Sequence, residues 1–166
     1  MKIKMGVIGL GGRGTGMMRL ILNKFPEVDV IAGCDLYPDR AERACNIIKE
    51  TRGIEAKAYT DYRELLKNEE INTVMISAAW EAHIPLAIAS MRAGKITALE
   101  VGGAYSLDDC WELVKAYKET QTPFMFLENC CYGKKELLAT GLARKGILGE
   151  VVYCHGSYSH DLRDEI

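Results

Sequence analysis

The chain has 166 residues, a length that suits one domain, or one domain and part of another. Apolar residues make up 48%, charged residues 27%, and the formal net charge is −2. This composition is ordinary for a globular protein and leaves no basic surface for nucleic acid and no acidic tail. No apolar run approaches the length that spans a bilayer, so no membrane partner is expected. Cys34, Cys45, Cys110, Cys130, Cys131 and Cys154 form no C-x-x-C pair and no zinc-like spacing. They read as reduced thiols of a cytoplasmic protein without a metal site.

Met1 to Lys4 lead directly into the first apolar run, so no leader peptide is expected. Met5 to Ile8 reads as a buried strand, and Thr15 to Lys24 as a helix with Met17, Met18, Ile21 and Leu22 at helical spacing. Val28 to Cys34 is a second strand. Pro38 to Arg52 is a helix with a turn before it and Gly53 as its stop. A short strand over Ala56 to Tyr59 and a short helix over Asp61 to Lys67 follow. Ile71 to Ser77 is a strand, Ala82 to Arg92 a helix ending at Gly94, and Ile96 to Glu100 a strand. Ser106 and Asp109 have the spacing of a capping box for a helix reaching about Thr120, and Pro123 to Glu128 is a further strand. Strands that are apolar on both faces and alternate with helices predict a doubly wound parallel sheet, the Rossmann arrangement.

After Asn129 the rhythm changes. Lys134 to Lys145 reads as a helix carrying Leu137, Leu138 and Leu142, and Glu150 to Ser159 as a long strand of alternating side chains. A lone strand is not a stable unit. The expected organisation is therefore an α/β domain over residues 1–128 and the start of a truncated α+β domain over residues 129–166. The open strand edge and the apolar helix face predict a homo-oligomer.

The chemistry gathers at the carboxyl ends of the strands, where doubly wound folds bind ligands. Gly9, Gly11 and Gly14 form G-x-G-x-x-G between a strand and a helix, with Asp35 closing the second strand 21 positions beyond Gly14. Gly9 permits the tight turn, Gly11 a close approach to a pyrophosphate, and Gly14 close packing of helix on strand. The pattern predicts a dinucleotide held at the helix N-terminus. Asp35 would accept from ribose hydroxyls and repel a 2′-phosphate, favouring NAD over NADP. Trp80 and His83 follow another strand. Trp80 either packs on the cofactor or is ordinary packing, and His83 either bonds near the nicotinamide or is a solvated first-turn histidine. Glu100 follows a further strand, as a ribose or amide acceptor or as a helix-start acid. Asn129 suits ribose or amide contact, or a turn. Tyr132, His160, Asp161 and Arg163 are polar groups that alone read as surface.

Gly9-x-Gly11-Gly12-Arg13-Gly14, Trp80-Glu81-Ala82-His83, Glu100-Val101 and Leu127-Glu128-Asn129-Cys130-Cys131-Tyr132 resemble the Gfo/Idh/MocA oxidoreductase family. The last of these, with Gly156-Ser157-Tyr158-Ser159-His160-Asp161-Leu162-Arg163, resembles the NAD-dependent glycosidases of glycoside hydrolase family 109. The resemblance implies that Gly12, Arg13, Asp35, Trp80, His83, Glu100, Val101 and Asn129 contact NAD. It implies that Tyr158 faces a sugar or glycoside, that His160 and Arg163 line or brace that pocket, and that Tyr132 is an acid/base group. The implied reaction is oxidation of a ring hydroxyl, elimination of the aglycone, hydration and return of the hydride, with no net redox. Two departures stand out. Sugar dehydrogenases of the family read E-K-P where this chain has Glu100-Val101-Gly102, and Val101 cannot move a proton. The glycosidases read E-V-P, so Gly102 departs from both. A sugar or polyol dehydrogenase and a non-catalytic NAD-binding module are the alternatives.

Overall fold

The computed structural model describes residues 2–157, 159 and 161. Its contacts divide the chain into Met1–Leu127 and Glu128–Ile166. The first unit holds strands β1 (Ile3–Ile8), β2 (Val28–Cys34), β3 (Lys57–Tyr59), β4 (Thr73–Ile76), β5 (Ile96–Leu99) and β6 (Phe124–Phe126). Its helices are α1 (Gly12–Lys24), α2 (Pro38–Arg52), α3 (Tyr62–Leu66), α4 (His83–Arg92) and α5 (Leu107–Thr120). The strands form one sheet in the order β3-β2-β1-β4-β5-β6, and every pairing is parallel. The doubly wound arrangement expected from the alternating pattern is the one observed.

The two faces of the sheet carry separate cores. Met5, Val7 and Met75 pack with Met18 and Leu22 of α1 and Ala44 and Ile48 of α2. Ile8, Val74 and Ile76 pack on the other face with Ile84 and Met91 of α4 and Leu113 of α5. Each fully buried aliphatic side chain contributes about 1.5–3 kcal/mol, which is why β1 and β4, apolar on both faces, occupy the centre. The β1–β2 register shifts between Met5 and Gly6, where Met5 faces Val30 and Gly6 faces Ala32. This bulge turns Val30 toward one core and Ala32 and Cys34 toward the other.

Local signals end the helices as expected. Pro38 and Asp39 open α2, and Gly53 closes it at φ 68° with its amide bonded to the Lys49 carbonyl. Ser106 and Asp109 form a reciprocal capping box at α5. Helix α1 begins earlier than its apolar periodicity suggests. Gly11 serves as N-cap, so Gly12 to Gly14 are already first-turn residues.

In the second unit a 3₁₀ turn over Asn129–Tyr132 precedes helix α6 (Lys134–Arg144), none of whose side chains is buried. Among the described residues the strand expected over Glu150 to Ser159 is absent: residues 151–157 and 159 have no regular structure. Val152 and Tyr153 are 88% and 77% exposed. Alternation alone does not make a strand, because its amides and carbonyls need a ladder partner, and none pairs here among the described residues. The open-edge argument for association falls with that strand. Among the described residues no helix is long and apolar enough to cross a membrane.

Candidate functional site

The strand ladders run past their last residues. The Gly9 amide bonds the Cys34 carbonyl at 2.9 Å, Asp35 the Tyr59 carbonyl at 3.2 Å, Ser77 the Ile8 carbonyl at 2.8 Å and Glu100 the Ile76 carbonyl at 2.9 Å. Gly9, Asp35, Ser77 and Glu100 are thereby brought to one edge of the sheet, although they are distant in sequence. A cleft of about 730 Å³ opens there. Ile8, Gly9, Gly11, Gly12, Arg13, Asp35 and Ser77 line it, together with residues after β2, β3 and β4.

The glycines are required by close contact. Gly9 has φ 88°, and a Cβ on it would stand 2.5 Å from the Ala78 amide nitrogen. A Cβ on Gly14 would fall on the Gly9 carbonyl oxygen, so the first turn of α1 lies directly on the glycine turn. Gly12, by contrast, has open space where its Cβ would be. Helix α1 has no side-chain cap and no acid in its first turn. Its uncapped N-terminus therefore offers amide donors and the positive end of the helix dipole to the cleft.

Asp35 is buried and doubly held. Its Oδ2 accepts from the Leu10 amide at 2.7 Å and its Oδ1 from the Tyr37 amide at 3.0 Å. Each oxygen keeps a lone pair for a further donor. Ser77 Oγ, on the cleft wall, is buried and has no partner among the described residues. An uncapped helix end, a carboxylate with spare acceptor capacity and an orphaned hydroxyl around one cleft fit a dinucleotide's phosphates and ribose. These residues could hold such a cofactor.

The other expected site residues are placed differently. Arg13 lines the cleft, but its guanidinium is committed: Nε and Nη2 donate to Glu100 Oε1 at 2.9 and 2.7 Å. Glu100 also accepts the Val101 amide at Oε2 and is itself nearly buried. His83 is 1% exposed, and Nε2 donates to the Ala78 carbonyl at 3.0 Å while Nδ1 has no partner among the described residues. The 3₁₀ turn Trp80–Ala82 before α4 turns His83 into the protein, neither solvated nor lining the cleft. Trp80 and Val101 are exposed. Asn129 and Tyr132 belong to the second unit and are exposed. Asp161 is also exposed. Tyr158, His160 and Arg163 lie outside the described residues.

Sequence reading missed Leu36, Tyr37 and Arg40 after β2, Thr60 to Arg63 after β3, and Ala78 and Leu86, all of which line the cleft. The rule that led to the ends of the other strands also applies to β3, and would have found Thr60 and Asp61. Burial pushes the Cys34 thiol up to about 12, with Asp35 and then Asp61 adding to the effect, so Cys34 offers no nucleophile beside the cleft. No cluster of metal-ligating side chains occurs among the described residues.

The family described as "Oxidoreductase family, NAD-binding Rossmann fold" (GFO_IDH_MocA) matches residues 3–127. A glycosyl hydrolase family 109 protein of Streptomyces filamentosus is 39% identical over 98% of this chain and 33% of its own length. A second, from Phocaeicola vulgatus, is 38% identical over 98% of this chain and 32% of its own. The chain thus spans about a third of the length of these curated relatives. Among solved structures, myo-inositol 2-dehydrogenase of Lactobacillus plantarum superposes with a TM-score of 0.79 at 25% identity, over 92% of this chain and 44% of that one. Myo-inositol dehydrogenase of Lactobacillus casei, in complex with NAD(H) and myo-inositol, reaches 0.82 at 23% identity, over 90% and 43%.

Proposed function

The chain belongs to the GFO_IDH_MocA oxidoreductase family, and we propose that it is the NAD-binding portion of an NAD-dependent glycosidase-like protein. The observation that carries the cofactor half is the bond from the Leu10 amide to Asp35, which fixes a ribose acceptor beside the uncapped start of α1. The glycosidase half is supported by likeness to the family 109 proteins over nearly the whole chain. It is also supported by Val101, a residue with no ionisable group where the resemblance places a dehydrogenase lysine.

In this reading the N-terminal amides of α1, beside Gly11, Gly12 and Arg13, receive the pyrophosphate, and Gly9 and Gly14 shape the turn that exposes them. Asp35 binds the adenosine ribose. Glu100 orients Arg13 and keeps its charge at the cleft mouth. His83 braces the Ala78 carbonyl and, through it, the cleft wall. Trp80, Val101 and Asn129 as cofactor contacts rest on resemblance alone. So do Tyr132 as the acid/base group and Tyr158, His160 and Arg163 as sugar contacts. Bound NAD supplies hydride acceptance and return at a sugar carbon, so elimination and hydration can occur without net redox. This requires no pair of carboxylates flanking the scissile bond.

The inositol dehydrogenase structures favour a second reading, an NAD-dependent sugar or polyol dehydrogenase. The experiment is an assay of the purified chain with NAD and nitrophenyl glycosides. Nitrophenol release without accumulating NADH supports the glycosidase, and NADH formation from a free sugar supports the dehydrogenase. NAD binding with neither reaction leaves a non-catalytic module. We also assign the chain to the cytoplasm, in keeping with its free cysteines, and read it as a homo-oligomer, in keeping with exposed Leu137 and Leu138 on α6. Light scattering tests the latter.

A further inference from the structure

Two side chains hold the glycine turn, one on each of two successive peptide units. The unit between Gly9 and Leu10 is fixed by Asp35, whose Oδ2 accepts from the Leu10 amide at 2.7 Å. The unit between Leu10 and Gly11 is fixed by Thr15, whose Oγ1 donates to the Leu10 carbonyl at 2.9 Å. The Thr15 amide bonds the Gly11 carbonyl at 3.0 Å, so one half-buried residue of α1 grips two successive carbonyls of the turn. The hydroxyl bond reaches back five positions. Helical threonines that bond back along their own helix reach three or four, so this hydroxyl serves the turn rather than the helix.

The Leu10–Gly11 unit is trans, and in a trans peptide the carbonyl and the following N–H point in opposite directions. A Leu10 carbonyl drawn to Thr15 therefore turns the Gly11 N–H the other way. Gly11 lines the cleft and Thr15 does not, and the Gly11 amide has no hydrogen-bond partner among the described residues. We propose that Thr15 is a positioning residue for the cofactor, its hydroxyl keeping the Gly11 amide aimed at the pyrophosphate. The proposal rests on the reading of this cleft as the dinucleotide site. Glycine itself makes a holder necessary, because a peptide unit beside glycine turns over at little steric cost. Turned over, this unit would present the Leu10 carbonyl oxygen, and no donor, to an anion. Asp35 does not prevent that, since its bond fixes the preceding unit.

The test is calorimetric titration of NAD into the whole chain and into Thr15→Val, Thr15→Ala and Thr15→Ser. Valine keeps the branched shape and alanine favours the helix, but both lack the hydroxyl, whereas serine keeps it. Thr15→Val and Thr15→Ala should each weaken NAD about tenfold, and Thr15→Ser by less than about threefold. If valine crowds the turn and unfolds the chain, alanine still reports the loss. Amide NMR spectra separate positioning from general loosening. On NAD addition the Gly11 amide resonance should move in the unaltered chain and move less in Thr15→Ala, while the free-state Leu10 resonance stays in place. NAD affinity unchanged by Thr15→Ala, serine as damaging as alanine, or Leu10 and Gly11 disturbed alike would overturn the proposal while leaving the dinucleotide site intact. Failure of the unaltered chain to bind NAD would overturn the site, and the proposal with it.

Discussion

The Leu10 amide donates to Asp35 Oδ2 at 2.7 Å, joining the glycine turn to the end of β2 across 25 positions of sequence. Asp35 is thus a structural acceptor as well as a ligand group. A ribose bound there meets a carboxylate whose position is already set by the turn that would hold the phosphates. Such preorganisation lowers the ordering cost of binding.

Asp35→Ala should therefore fail in two ways. It leaves the Leu10 and Tyr37 amides without acceptors, which costs about 1–3 kcal/mol of stability for the buried one. It also removes charged acceptors for ribose hydroxyls, weakening NAD by about 1.5–3 kcal/mol and NADP by less. Thermal unfolding without ligand and calorimetry with each cofactor separate the two effects. An unchanged melting temperature would show that the Leu10 bond contributes nothing to the fold.

Gly14→Ala should destabilise by about 2–3 kcal/mol, because the added methyl falls on the Gly9 carbonyl and the turn and helix must part. Gly16→Ala, two positions further along α1 and open around its Cβ, should instead stabilise by about 0.5–1 kcal/mol through helix propensity. Denaturant titration of the pair tests whether contact, rather than glycine content, makes Gly14 necessary.

Arg13 and Glu100 differ in what each loses without the other. The Arg13 side chain is 54% exposed and that of Glu100 10%. Glu100→Ala frees Arg13 to solvent at modest cost. Arg13→Ala strands a nearly buried carboxylate with only the Val101 amide as donor, and should destabilise by more. A double-mutant cycle read by urea unfolding should show the double variant no less stable than Arg13→Ala.

The glycine motif and Asp35 are legible in the sequence because their chemistry is local: a turn, a helix start and an acid at a set spacing. Thr60 to Arg63 are less so, because they join the cleft only through the parallel order that sets β3 beside β2. The burial of His83 is not legible, since its place after an apolar strand says nothing of the 3₁₀ turn that rotates it inward. The alternation from Glu150 to Ser159 misleads for a related reason. It describes one strand's faces but not whether a neighbour pairs with it.

Thiol reactivity should divide by burial. Cys110, Cys130, Cys131 and Cys154 are exposed and should react with a disulfide reagent at once, whereas Cys34 should react only on unfolding. The Cys34 thiol, raised from 9.0 to about 12, keeps its proton in the fold over a range where the unfolded chain loses it. Its contribution to stability is present below pH about 9 and falls as pH rises toward 12, by at most about 1.4 kcal/mol per pH unit. Cys34→Ala should show a shallower alkaline decline, and an identical slope would refute the argument.

Gly102 bears on Trp80. Gly102 has φ 148°, and a Cβ on it would stand 2.6 Å from Trp80 Cδ1, so the backbone packs on the face of an otherwise exposed indole. The resemblance places a proline here, and proline cannot adopt this φ. The loop after β5 is therefore specific to a chain that carries glycine. Gly102→Ala should displace the indole, whereas Gly103→Ala, at φ 57° with nothing near its Cβ, should strain only the backbone. Trp80 and Trp111 are the two tryptophans, so a Trp111→Phe background leaves Trp80 as the sole reporter. In that background Gly102→Ala should shift the emission maximum and raise accessibility to iodide, while Gly103→Ala should leave both as they were. If the two alanine variants give the same spectrum as the parent, the Gly102 contact does not position Trp80.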